Sequence, residues 1–99
     1  MARFDFYRNQ VGRGYLLDLQ SDLIGSLNTR VVAPLMPPAE APRPASRLNP
    51  VFVIGNGKFV MVTQFMAAVP LAELQERSGS LSQEHDAIMN AIDMIFSGF

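Results

Sequence analysis

Few side chains in this sequence are equipped for chemistry. There is one histidine, His85, and no cysteine. A transition-metal site would have to rest on carboxylates alone, without the imidazole and thiolate donors such ions favour. A histidine acting as general base needs a partner within hydrogen-bond reach. The spacing Ser82-x-x-His85 reads first as a capping arrangement, with Ser82 as N-cap and His85 in the first helical turn. Asp18, Asp22 and Asp93 could work as a carboxylate pair only if the fold gathered them. Gly55-Asn56-Gly57 lacks the Lys-Ser/Thr that completes a phosphate-binding loop. Met61, Met66, Met89 and Met94 read as core filler, the usual use of a flexible thioether. This inventory predicts no catalytic residue, no metal and no cofactor. It describes a protein that binds rather than an enzyme.

The totals narrow the class of partner. Ninety-nine residues predict a single domain, 1–99, small enough that a dimer interface would add usefully to stability. A hydrophobic content of 48% against 17% charged residues describes a globular chain, not a disordered one. The net charge of −1 supplies no positive footprint for phosphates, so direct binding to nucleic acid is not expected. No apolar run approaches the roughly 20 residues of a membrane-spanning helix, and MARFDFYRNQ has no charged-then-apolar leader pattern. With no cysteine to oxidise, the expected setting is a reducing cytoplasm, away from any membrane.

The element that must position a binding surface is the last stretch, Leu81 to Phe99. Leu81, Ile88, Ile92, Ile95 and Phe99 recur at helical spacing with Phe96 beside them. Gln83, Asp86, Asn90, Asp93 and Ser97 crowd into one polar strip. A helix lying on one core needs an apolar stripe of only about 100°. The wider stripe predicts a second buried surface, most simply a twin subunit.

Upstream the pattern is β. Arg3 to Tyr7 alternates, with Phe4 and Phe6 inward, and reads as a half-buried strand. Tyr15 to Gln20 is the next strand, ended by Ser21-Asp22. Leu23 and Ile24 follow at once, and an apolar pair beside a turn is more often tucked under a sheet than displayed. Arg30 to Met36 is a third strand, where Pro34 argues for an edge or a bulge. Met36 to Arg47 is proline-rich and reads as a projecting loop, or as a proline motif for another domain. Pro50 to Gly55 and Lys58 to Thr63 flank Asn56-Gly57, the signature of a type I′ hairpin. Gln64 to Pro70 is irregular or a final strand, Pro70 opens a short helical turn, and Ser78-Gly79-Ser80 is a hinge into the helix. The predicted fold is mainly β with a C-terminal α-helix: a small antiparallel barrel or curled sheet of about five strands plus one long helix.

In order along the chain stand Asp18-Leu19-Gln20-Ser21-Asp22-Leu23-Ile24, Thr29-Arg30-Val31-Val32-Ala33-Pro34-Leu35, Leu48-Asn49-Pro50-Val51-Phe52-Val53-Ile54-Gly55, Met66-Ala67-Ala68-Val69-Pro70, and Leu81-Ser82 leading to Asn90-Ala91-Ile92 and Phe96-Ser97-Gly98-Phe99. This set resembles the CcdB family, toxins of toxin–antitoxin pairs that poison DNA gyrase. The resemblance is poorest over Met36 to Arg47. It implies an SH3-like sheet, a long C-terminal helix and a homodimer. It also implies a non-catalytic action: the toxin dimer lodges between the two gyrase A subunits and holds the enzyme on cleaved DNA, until a CcdA-like antitoxin with a disordered segment wraps the dimer. The gyrase-binding positions implied are Leu23, Ile24, Asp93, Phe96, Ser97, Gly98 and Phe99. Two positions depart from the family pattern. Ser97 stands where a tryptophan is typical, with Phe99 last, and Asp93 stands where an asparagine is usual. A contact tryptophan is worth roughly 2–4 kcal/mol when truncated, or on the order of 30- to 1000-fold in affinity. Gly98 has two readings, a helix C-cap and a point of close approach.

Overall fold

The computed structural model describes residues 2–98. Strands β1 (Asp5–Arg8) and β2 (Tyr15–Asp18) form an antiparallel hairpin. A short 3-10 turn, Asp22–Ile24, leads to β3 (Thr29–Met36), the longest strand. β4 (Val51–Ile54) and β5 (Gly57–Met61) form a second hairpin. A 3-10 turn at Thr63–Phe65, β6 (Ala67–Pro70), a turn at Leu71–Glu73, β7 (Arg77–Ser80) and a turn at Ser82–Glu84 precede the helix α1 (His85–Ser97). The strands pair antiparallel in the order β4-β5-β3-β2-β1-β7, with β6 also on β3. The result is the curled antiparallel sheet with one terminal helix that the sequence predicts, in seven strands among the described residues rather than about five.

The main core lies between the sheet and α1. Phe4, Phe6, Leu17, Leu35, Phe52 and Met61 meet Ile88 and Ala91 of the helix there. Ile88 is fully enclosed, a burial worth about 1.5–3 kcal/mol. Edge-to-face aromatic contacts tie three strands, with Phe6 to Tyr15 at 5.0 Å and Tyr15 to Phe59 at 5.1 Å between ring centroids. Met66 and Met89 pack at the margin of this core, the filler role expected of them. A second, smaller cluster of Tyr7, Val32 and Leu74 covers the opposite face. β1 is therefore buried on both sides, with Asp5 and Tyr7 enclosed as well as Phe6. Alternation predicted a solvent face that residues 69–76 in fact cover.

Three local expectations are corrected. Pro34 sits in the central strand, not at an edge or bulge. β3 pairs β2 along one side; on the other it pairs β6 through Val32 and β5 from Leu35. The Pro34 carbonyl accepts from Val62 N on that second side, so its missing N–H falls where one neighbour has ended and the next begins. The hairpin turn is Gly55-Asn56, since Ile54 pairs with Gly57. Only Gly55 has a positive φ, +60°, the pattern of type II′ rather than I′. Ser78-Gly79-Ser80 is not a hinge but part of β7, paired with β1. A Cβ on Gly79 would lie 2.6 Å from the Phe6 ring, so the glycine is there for close packing.

The segment between β3 and β4 contains no helix or strand, in keeping with a loop. Its base is anchored by Asn49, whose amide donates to Met61 O and Gln64 Oε1 and whose oxygen accepts from Ala45 N.

Candidate partner-binding surface

The Asp22–Ile24 turn presents apolar side chains to solvent. Leu23 is 95% exposed and Ile24 49%. The expectation that this pair tucks under the sheet is wrong, for a local reason. Ser21 Oγ accepts from Leu23 N, Ile24 N reaches back to Ser21 O and Gly25 N to Asp22 O, which winds the chain outward as soon as β2 ends. Three residues of 3-10 helix have no inward face to spare.

Beneath the turn lies a buried polar cluster. Arg30, 1% exposed, donates from Nε and Nη2 to Asp18 Oδ2 at 3.0 and 2.6 Å, and its Nη2 lies 3.7 Å from Asp22 Oδ1. The other Asp18 oxygen accepts from Gln20 N at 3.0 Å. Burial pushes the Asp18 carboxyl above its ordinary value, against the pull of the Arg30 guanidinium and the Gln20 amide. The Gln20 side chain donates to Ile24 O at 3.1 Å and accepts from Val31 N at 3.1 Å. Asp18 and Asp22 are thus brought together, but around a shared cation and not as a reactive carboxylate pair. Asp93 lies apart from them on α1.

The second exposed apolar surface is the end of α1. Phe96 is 72% and Ile95 38% exposed, and Asp93, Ser97 and Gly98 are also at the surface. Gly98 closes the helix at φ +76°, donating to Met94 O, with open space where a Cβ would stand. Its C-cap reading therefore holds, since left-handed backbone favours glycine. Phe99 lies outside the described residues. At the other end Ser82 is not the N-cap: it sits inside a 3-10 turn, its own amide donating to Ser80 Oγ, and α1 starts without a side-chain cap.

Arg3 ties the Asp22–Ile24 turn to the body of α1. Its backbone N–H donates to Asp22 Oδ1 at 2.9 Å, and its guanidinium reaches Leu19 O at 3.0 Å and Met89 Sδ of α1 at 3.4 Å. α1 itself packs on the sheet through Ile88 and Ala91 and also meets the Thr63–Phe65 turn. One protomer holds the predicted positions in two groups, Leu23–Ile24 and Asp93–Gly98. His85 belongs to neither: it is exposed, edge-on to Phe4 and 3.3 Å from Asp86. Elsewhere an open cleft of about 440 Å³ is lined by Arg8, Arg13, Tyr15, Lys58 and Phe59, none of them among the predicted positions.

The sequence model of the CcdB family, described as CcdB protein, matches residues 3–98. The chain belongs to the CcdB family. The CcdB fold described above is also similar to a solved structure described as an endoribonuclease in complex with its cognate antitoxin from Mycobacterial species. The TM-score is 0.74 at 13% identity, over 95% of this chain and 92% of that one. At that identity the likeness is one of fold. No helix among the described residues of this CcdB chain is long and apolar enough to cross a membrane.

Sequence reasoning missed the residues that hold the turn, Arg3, Gln20 and Arg30. A signal existed for one pair. Asp18 and Arg30 carry opposite charges in neighbouring strands that are otherwise apolar, and buried charges are normally paired. Nothing in the local pattern marks Gln20, whose partners lie four and eleven residues away.

Proposed function

We propose that this chain is the toxin of a toxin–antitoxin pair, acting as a homodimer that docks on the DNA gyrase A subunit and traps gyrase on cleaved DNA. The observation that carries the reading is the display of Leu23 and Phe96, two large apolar side chains at 95% and 72% exposure, at positions where the family meets gyrase. Each has an exposed apolar neighbour, Ile24 beside Leu23 and Ile95 beside Phe96, and contiguous exposed apolar surface marks interaction sites. In the proposed homodimer two turns and two helix ends would lie on one assembly. The action is binding without catalysis, and the DNA is held by gyrase, in keeping with a net charge of −1. An antitoxin with a disordered segment would cover the dimer and release the target. The family membership and the antitoxin complex formed by the structural neighbour both support that partner.

Induction in bacteria carrying the host's own gyrase is expected to stop growth and accumulate cleaved DNA. Continued growth with folded dimer plainly present would remove gyrase as the target. Calorimetry against the host gyrase A fragment measures the same contact directly, and solution scattering reads the dimer.

One observation favours a second reading, in which the fold, dimer and antitoxin are kept but gyrase is bound weakly or another target is used. Ser97 is exposed at the position of the family tryptophan, and the chain has no tryptophan at all. Ser97→Trp is expected to raise toxicity under the first reading. Unchanged toxicity would favour the second.

A further inference from the structure

We infer that Gln20 is a positioning residue for partner binding, a strut that holds the Leu23–Ile24 turn in its docking geometry. The inference rests on the proposal that this turn contacts the target. Gln20 is 5% exposed and spans the gap between the turn and the sheet. Its Nε2 donates to Ile24 O, the carbonyl at the end of the turn, and its Oε1 accepts from Val31 N of β3. The residue itself is fixed at both backbone atoms, with N donating to Asp18 Oδ1 and O accepting from Arg30 Nη2. Both ends of the amide are thus used, and the frame on which it stands is the buried ion pair. The start of the turn has separate anchors, Ser21 Oγ on Leu23 N and Arg3 N on Asp22 Oδ1. At the far end, Gln20 is the side chain that joins the turn to β3.

Leu23 has almost no contact of its own to orient it, so the backbone under it must. A turn free to move is competent to dock for only part of the time, and the apparent affinity falls by that fraction. Gln20→Met keeps the length and removes both bonds. Gln20→Glu keeps the acceptor for Val31 N and removes the donor to Ile24 O. If the freed turn is in docking geometry for about a tenth of the time, Gln20→Met weakens target binding about tenfold, and Gln20→Glu, whose carboxylate would face the Ile24 carbonyl, does not restore it. Val32→Ala, a cavity in the small cluster on the other face of the sheet, serves as the control for lost stability alone.

The test has two measurements on the full chain, made well below each variant's melting temperature. Binding to the gyrase A fragment is measured for the parent and the three variants. Amide hydrogen exchange is followed at residues 22–27. The expected result is weaker binding and faster exchange in Gln20→Met, with neither change in Val32→Ala. Equal affinity and equal exchange in Gln20→Met and the parent would overturn the strut. So would the same change in Val32→Ala, since loss of stability would then suffice. If the parent does not bind gyrase, that target fails, while exchange at 22–27 still decides whether Gln20 holds the turn.

Discussion

The Asp22–Ile24 turn and the end of α1 both hold apolar side chains in solvent, by different means. The turn is braced from beneath by a buried ion pair and a glutamine that uses both ends of its amide. The end of the helix relies on its own backbone bonds and a left-handed glycine. A three-residue turn has no regular periodicity to fix it, so its geometry must be borrowed from neighbouring strands. A thirteen-residue helix carries its geometry within itself, and its inner face, through Ile88 and Ala91, anchors it to the sheet. The same display therefore rests on tertiary polar bonds in one place and on secondary structure plus apolar packing in the other.

The sharpest way to break this contrast is to remove the brace. Arg30→Met leaves the Asp18 carboxylate buried without its cation, and is expected to lower unfolding stability by about 3–5 kcal/mol in a urea titration. A loss below about 1 kcal/mol would show that the turn does not depend on the pair. The helix end has no equivalent. Phe96→Ala is expected to leave stability within about 0.5 kcal/mol while weakening the partner contact by about 2 kcal/mol in calorimetry. A large fall in melting temperature would mean that Phe96 packs within the protomer after all.

The two caps allow a closer comparison. Ser21→Ala removes the acceptor for Leu23 N and is expected to cost about 1 kcal/mol, a fall of about 4–8 °C in the melting temperature of a chain this size. Gly98→Ala forces a side chain into φ +76°, at about 1–2 kcal/mol if that conformation is kept. The last helical turn can fray to escape, so its measured effect is expected to be the smaller. The reverse order would show that the helix end is the more rigid surface.

Much of the fold is legible in the sequence because its signals are local. The 3.6-residue spacing of Ile88, Ile92 and Ile95 marks α1, and alternation with turn residues marks the strands on either side of Gly55-Asn56-Gly57. Where the reading fails, a non-local contact decided. Ser78-Gly79-Ser80 carries no β propensity and is a strand because β1 offers it an edge, with Phe6 filling the space above Gly79. Pro34 looks unfit for a central strand and is tolerated because the partner changes at that residue.

The candidate site divides along the same line. Family membership, the residue types at the proposed contact positions, the wide apolar stripe of the terminal helix and the serine at position 97 belong to the sequence alone, since residue type and periodicity suffice to state them. That Leu23 faces solvent, that Asp18 and Arg30 meet directly in the interior, and that Gln20 bridges two elements were decided only by the tertiary structure. Each depends on residues distant in sequence converging on one point, and burial is a property of that convergence, not of any residue alone.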